Sequence, residues 1–128
     1  MRTIPRLRNL LFLSIFTLLS SCNQTIDYDK EKEYIKIDYV MGPDILSYKG
    51  VPYTGILVRY HDKEKEKLGV KITYRDGKEH GTFEKYHENG QLSEKGTLEE
   101  GEKDGLFEFY NEKGELIKKE IWKEGKLE

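Results

Sequence analysis

Apolar and polar residues alternate in short stretches along the C-terminal two thirds of the chain. From Leu68 to Tyr74 every second residue is large and apolar, which is the period of a half-buried β-strand. Phe107 and Phe109 alternate with their neighbours in the same way. Residues 29–36 are the only segment that favours a helical turn. The pattern therefore predicts an all-β chain.

The strand pattern returns three times, and a glycine leads each copy. The segments "GILVRYHD", "GTFEKYHENG" and "GLFEFYNEKG" begin at Gly55, Gly81 and Gly105. Each segment has a tyrosine at its sixth position, and these are Tyr60, Tyr86 and Tyr110. Recurrence at a nearly constant spacing is the signature of a repeat protein.

The second half of each copy aligns as well. Three leucines, three large apolar residues and three glycines occupy matching positions: Leu68, Leu92 and Leu116; Tyr74, Leu98 and Trp122; Gly77, Gly101 and Gly125. The sequence therefore predicts three consecutive β-hairpins, at about residues 55–80, 81–104 and 105–128. "YKGVPYTG", from Tyr48 to Gly55, matches the tail of a preceding, degenerate unit. The repeat domain is assigned to residues 48–128.

Glycine positions predict the turns and close backbone contacts. Asp76-Gly77 and Asn89-Gly90 favour type I′ hairpin turns, which need positive φ at both central residues. Residues 112–114, which end at Gly114, suit a three-residue loop with glycine in the left-handed region. Glycine within a sheet marks close backbone approach. We therefore expect an aromatic ring such as Tyr74 or Trp122 to cross the glycine that leads each repeat.

The segments "GTFEKYHENGQL" and "GLFEFYNEKGEL" resemble the MORN-repeat variant, also called the YwqK-type antitoxin repeat. The resemblance covers Tyr48 to Glu128. It implies an extended, single-sheet antiparallel meander of β-hairpins. It also implies an antitoxin or immunity role, in which a protein toxin is bound and neutralised. This chain departs from the pattern at Leu57 and Leu98, which replace aromatic residues, and after Tyr60, where Asn-Gly is missing.

The first 21 residues have the layout of a secretory signal peptide. A basic start with three arginines precedes the apolar run Leu10–Leu19 and two serines. Spanning a bilayer takes about 20 apolar residues, so a signal peptide is favoured over the alternative, a transmembrane anchor. "LSSC" resembles the lipobox of bacterial lipoproteins, which implies lipid attachment at Cys22. The alternative is a free thiol beside an ordinary cleavage site.

Residues 22–47 link the lipidated end to the repeats. The polar segment Asn23–Lys36 is interpreted as a flexible tether, with a short extra strand or helix as the alternative. Ile35–Val40 has the pattern of a lone strand. Together these features predict a lipoprotein that is exported and anchored to a membrane of the bacterial cell envelope.

Composition limits the classes of function. Charged residues make up 36% of the 128 residues, mean hydropathy is -0.78 and net charge is -2. Acidic and basic residues are interleaved, so no basic face indicates nucleic-acid binding. Nine tyrosines and five phenylalanines can hold a thin sheet together, because each buries a large area.

The chain has no recognisable catalytic or phosphate-binding motif. We therefore expect no enzyme activity, no cofactor and no small-molecule substrate. His61 and His87 follow repeat tyrosines, but zinc needs three or four ligands at fixed geometry. Surface histidines are favoured over a metal site there, and the same holds for His80.

Aromatic residues are the candidate binding residues. They are Tyr60, Tyr86, Tyr110, Phe83, Phe107 and Trp122. The tyrosines either pack adjacent hairpins together or form an exposed stripe for a partner, and an open sheet edge could also accept a strand. The sequence favours a protein that binds a protein partner in the envelope. The alternative is a structural or surface-exposed envelope lipoprotein with weak, multivalent contacts.

Overall fold

The computed structural model describes residues 24–38 and 44–128. The expected signal peptide, the expected lipid attachment at Cys22 and the end of the expected strand Ile35–Val40 lie outside the described residues. Within those residues, no helix is both long and apolar enough to cross a bilayer.

Twelve strands and two helical turns make up the fold. In chain order they are β1 (Thr25–Asp27), α1 (Tyr28–Glu31), a 3-10 turn (Lys32–Tyr34), β2 (Ile35–Asp38), β3 (Ile45–Tyr48), β4 (Val51–Pro52), β5 (Gly55–Tyr60), β6 (Leu68–Arg75), β7 (Lys78–Tyr86), β8 (Leu92–Glu99), β9 (Glu102–Lys103), β10 (Gly105–Tyr110), β11 (Leu116–Lys123) and β12 (Lys126–Leu127). A nine-stranded sheet has the order β1-β5-β6-β7-β8-β10-β11-β12, with β9 also paired to β8. The predicted all-β meander of consecutive antiparallel hairpins is confirmed.

A second, three-stranded sheet accompanies the repeats, in addition to the single sheet that the sequence predicts. Its order is β2-β3-β4, and its strands are antiparallel. Strand β1 joins the large sheet by parallel pairing with β5. Residues 25–36 thus belong to the fold as strand and helical turns, which is the alternative to a tether that the sequence left open.

The hydrophobic core lies between the small sheet and the N-terminal part of the large sheet. Its buried members are Ile26, Leu46, Tyr48, Tyr53, Leu57 and Tyr74. Rings of Tyr48, Tyr53 and Tyr74 follow one another with centroids about 6 Å apart, a spacing that suits tilted and edge-to-face aromatic pairs. Ile26 is 2% exposed although it comes from the segment with the most polar pattern.

Tight turns of one type end the second strand of each repeat. Asp76 and Gly77 have φ values of 50° and 83°, so both central residues are left-handed, as a type I′ turn requires. The pairs Lys49-Gly50, Glu100-Gly101 and Glu124-Gly125 share this conformation. The predicted type I′ turn at Asp76-Gly77 is confirmed.

The prediction of a type I′ turn at Asn89-Gly90 is wrong. Only Gly90 has positive φ, and the Gly90 amide donates to His87 O at 2.9 Å. The loop at Gly114 has the same backbone bonding, from Gly114 N to Asn111 O at 2.9 Å, which matches the predicted three-residue loop. The Asn89 amide group instead donates to Glu112 O in the next loop at 2.6 Å.

The expectation that an aromatic ring crosses each leading glycine holds at Gly55, where the ring is that of Tyr53, and is wrong at Gly81 and Gly105. A Cβ at Gly55 would meet Tyr53 and Gln24 O, one at Gly81 would meet only Thr73, and one at Gly105 would meet no described atom within 4 Å. Gly81 and Gly105 are needed for their positive φ of 97° and 93°. A second close aromatic contact occurs at Gly96, on which the ring of Phe107 lies.

Gly96→Ala tests that contact. An added Cβ would lie 2.6 Å from ring carbons of Phe107, so the free energy of unfolding should fall by about 1–3 kcal/mol. Chemical denaturation measures the change, and Thr97→Ala, at the exposed next residue, is the control. In a Phe107→Leu background Gly96→Ala should cost less, because leucine lacks the ring. Additive costs would contradict the contact.

Candidate functional site: the repeat ladders and the C-terminal hairpin

The repeat tyrosines occupy matching positions at strand ends and are half-buried. The Tyr86 hydroxyl donates to Glu84 Oε2 at 3.0 Å, and the Tyr110 hydroxyl donates to Glu108 Oε2 at 3.1 Å. Burial and the neighbouring Glu84 raise the pKa of Tyr86. The first unit has Val58 where these glutamates stand. The hydroxyl protons of Tyr86 and Tyr110 are therefore engaged within their own strands.

A ladder of opposite charges crosses the face that carries these glutamates. Lys71 Nζ lies 3.2 Å from Glu84 Oε2, and Lys95 Nζ lies 2.7 Å from Glu108 Oε2. Lys119 Nζ reaches the other oxygen of Glu108 at 3.1 Å. Hydrogen bonds from Lys95 and Lys119 lower the pKa of Glu108 to about 2. One carboxylate thus serves two lysines at the C-terminal end of the ladder.

The opposite face carries an aromatic cluster. Phe107 is fully buried, and its ring centroid lies 6.2 Å from that of Phe83. Lys103 Nζ lies 4.3 Å from the ring centroid of Phe107 and 5.0 Å from that of Trp122, while Glu94 Oε1 binds the same ammonium at 2.7 Å. The lysine covers the rings, and cation–π attraction favours this placement. Phe107 is therefore a core residue, and Trp122 is partly covered.

Histidines connect consecutive repeats. His61 Nε2 lies 2.8 Å from Tyr86 O, and His87 Nε2 lies 2.9 Å from Tyr110 O. A ring nitrogen that donates to a carbonyl has no lone pair left for a metal ion. Among the described residues, no group of three or more His, Cys, Asp or Glu side chains could hold a metal. These histidines bond each repeat to the next.

A cleft of about 370 Å³ lies where the small sheet meets the turns of the large sheet. Its lining includes four carboxylates, on Asp44, Glu79, Glu100 and Glu102. Burial raises the pKa of Glu79, and Asp44 raises it further, whereas the Tyr74 hydroxyl donates to Glu79 at 3.2 Å and opposes that rise. Lys78 pairs with Glu100 at the rim. The cleft is acidic and open to solvent, and its lining residues belong to no catalytic motif that the sequence analysis recognises.

The C-terminal hairpin exposes large apolar side chains, and the sequence analysis missed this. Leu106, Leu116, Ile117, Ile121 and Leu127 are between 46% and 65% exposed. By register, Leu106 and Ile121 lie directly opposite each other on one face. A comparison between the repeats would have revealed these side chains. The position of Ile117 holds Gly69 and Ser93 in the two earlier units, and the position of Ile121 holds Thr73 and Thr97.

Thus the predicted candidates do not converge on one surface. Tyr86 and Tyr110 line the charged face, Phe83, Phe107 and Trp122 line the opposite face, and the repeat-signature glycines shape turns and strand ends. Among the described residues, the C-terminal hairpin carries five of the eight exposed large apolar side chains, and the other three, Tyr34, Ile37 and Val51, lie in the N-terminal part of the fold. An arrangement of this kind suits contact with another polypeptide.

Glu108→Gln tests the charge ladder through its pH dependence. A carboxylate whose folded pKa of about 2 lies below its ordinary value of 4.5 contributes stability above pH 4.5 and loses it as pH falls towards 2. Wild type should therefore exceed the variant in denaturant midpoint at pH 7, and the difference should shrink below pH 4.5 and vanish below about pH 2. Glu112→Gln in an exposed loop is the control. A difference that grows on acidification would contradict the ladder.

Comparison of the chain with protein-family models, with curated proteins and with solved structures finds no match. A proposal for the function of this chain must therefore rest on the geometry of its own residues.

Proposed function

We propose that the chain is a non-enzymatic, lipid-anchored repeat protein that binds a protein partner in the bacterial cell envelope through its C-terminal hairpin. The observation that carries this proposal is the set of exposed apolar side chains on β10, β11 and β12. Leu106 and Ile121 lie directly opposite each other on one face, and large exposed apolar patches mark protein interaction sites.

The contrast between repeats strengthens this interpretation. Earlier units place Thr73 and Thr97 at the position of Ile121, so the fold itself accepts a polar residue there. An isoleucine at 55% exposure adds apolar area that no described residue covers. Burying such a side chain in a partner contributes about 1.5–3 kcal/mol, whereas leaving it in water contributes nothing. The substitution is best explained by an interface.

The position of the anchor suits this surface. Lipid on Cys22, as the lipobox resemblance implies, would lie close to β1, which starts at Thr25. Six strand spacings separate β1 from β11 in the sheet, or roughly 29 Å at about 4.8 Å each. An anchor at one end of the sheet would leave the C-terminal hairpin at the far end, accessible to another protein.

The finer assignment is an antitoxin or immunity protein, which the resemblance to the YwqK-type repeat implies. A single partner whose enzymatic activity falls on binding would support it. A structural envelope lipoprotein would instead show weak, multivalent contacts, and its membrane attachment would be its main requirement.

Capture from envelope extract tests the binding surface. The full chain in detergent should retain a partner, and a double variant Ile117→Ser, Ile121→Ser should lose it by tenfold or more, because two apolar contacts are removed. Val51→Ser, at a residue 61% exposed on the small sheet, is the matched control. Quantitative mass spectrometry of the retained proteins is the measurement. Equal retention by both variants would contradict the proposed surface.

Cys22→Ala tests the anchor. Without the thiol there is no lipid attachment, and a chain cleaved from its signal peptide should move from the membrane fraction to the soluble fraction. Immunoblotting of the fractions measures this. Continued membrane association of the variant would indicate that residues 10–19 anchor the chain as an uncleaved segment.

A further inference from the structure

The outer edge of β11 is a strand-pairing edge without a strand. β10 pairs with β11 along its length, whereas β12 meets β11 only at Trp122 and Lys123. Glu128, directly after β12, donates its amide to Ile121 O at 2.9 Å, and along residues 116–120 no other described residue pairs with this side of β11. In the two earlier units the corresponding edge is occupied, because β7 pairs with β6 and β10 pairs with β8.

The occupied edges show which side chains fit there. Lys71 on β6 stands opposite Glu84, and Lys95 on β8 stands opposite Glu108. Both pairs form ion pairs across the strands, at 3.2 and 2.7 Å. Lys119 is the matching residue on β11, and it shares Glu108 with Lys95 because no strand on its outer side supplies an acid. Among the described residues, the position opposite Lys119 on its outer side thus holds no acidic partner.

Residues next to the two glutamates are also alike. A phenylalanine precedes each glutamate and a tyrosine follows two residues later, in "FEKY" from Phe83 to Tyr86 and "FEFY" from Phe107 to Tyr110. Side chains directly opposite on paired strands lie about 4.5–5.5 Å apart and contribute to pairing. The segment that suits the edge of β11 is therefore extended, acidic and aromatic.

We propose that the outer edge of β11 accepts such a segment of a partner protein by antiparallel strand addition, with an acidic residue opposite Lys119 and an aromatic residue beside it. This rests on the proposed function, since it names the chemistry of the partner that the C-terminal hairpin binds. Main-chain hydrogen bonds supply affinity in this mode, and side chains supply specificity.

A synthetic peptide with the sequence of residues 105–114, "GLFEFYNEKG", is the probe for the full chain in detergent. Fluorescence anisotropy should show saturable binding. Replacing the glutamate at the position of Glu108 by lysine in the peptide, or Lys119→Ser in the protein, should each weaken binding about fivefold, the upper end for an exposed ion pair. Combining the peptide change with Lys119→Ser in the protein should weaken binding no more than either change alone. Lys123→Ser, where β12 covers the edge, is the charge-matched control and should leave binding unchanged.

Two N-methylated peptides separate strand addition from side-chain docking. Each carries methyl groups on alternate backbone nitrogens, one on the odd and one on the even positions. An added strand points alternate N–H groups at its neighbour, so one peptide should lose binding at least tenfold and the other should retain it. Equal behaviour of the two peptides, or no binding of the unmodified peptide up to about 1 mM, would overturn strand addition.

The outcomes also distinguish this inference from the proposed function. Capture that depends on Ile117 and Ile121, combined with equal behaviour of the methylated peptides, would leave the protein-binding function intact and refute strand addition. Binding of only one of the two methylated peptides, without a captured partner, would support strand addition and refute the proposed protein-binding function. Sedimentation of the chain alone is the last control: dimers that the binding-competent peptide dissociates would make a second copy the occupant and overturn the assignment of a partner protein.

Discussion

A backbone hydrogen bond from each tight turn to a residue just after the preceding tight turn fixes the register on which the other contacts depend. The amide of Gly77 donates to Tyr53 O at 2.8 Å, that of Gly101 to Glu79 O at 2.9 Å, and that of Gly125 to Lys103 O at 3.0 Å. Each donor belongs to a type I′ turn, whose left-handed residues aim the amide at the preceding unit. A shift of one residue would turn every side chain to the other face.

Fixed register lets each repeat use the same neighbours again. Lys and Glu alternate across one face, and histidine rings bond to the carbonyls of the next tyrosines. The first unit is the exception, since it has Leu57 and Val58 where later units have Phe and Glu. These apolar residues are buried, Leu57 in the core beneath the small sheet. Val58 thus suits a covered face, whereas Glu84 and Glu108 suit a face open to solvent; the Leu57 position is apolar in all three units, and its counterpart Phe107 is fully buried.

Local patterns predicted the hairpins, while non-local contacts could not be read from them. Strand alternation and Asp76-Gly77 act within a few residues, so their structure follows from sequence. The parallel pairing of β1 with β5 joins residues 25–27 to residues 56–58. The sequence around Ile26 contains no local pattern that predicts this pairing. The contact of Phe107 with Gly96 likewise depends on register between strands. The prediction of a type I′ turn at Asn89-Gly90 failed because Asn89 does not take positive φ and its side chain instead donates to the next loop.

The two ends of the large sheet differ in how far other parts of the fold cover them. β1 and the small sheet close the N-terminal end, whereas β11 presents apolar side chains and an open edge. Natural proteins protect such edges with lysines, because like charges oppose pairing between identical strands. Lys118 and Lys119 fill this role on β11. If an acidic segment adds to this edge as proposed, the same two charges would favour it, and protection against self-association and selectivity for a partner would then arise from one pair of residues.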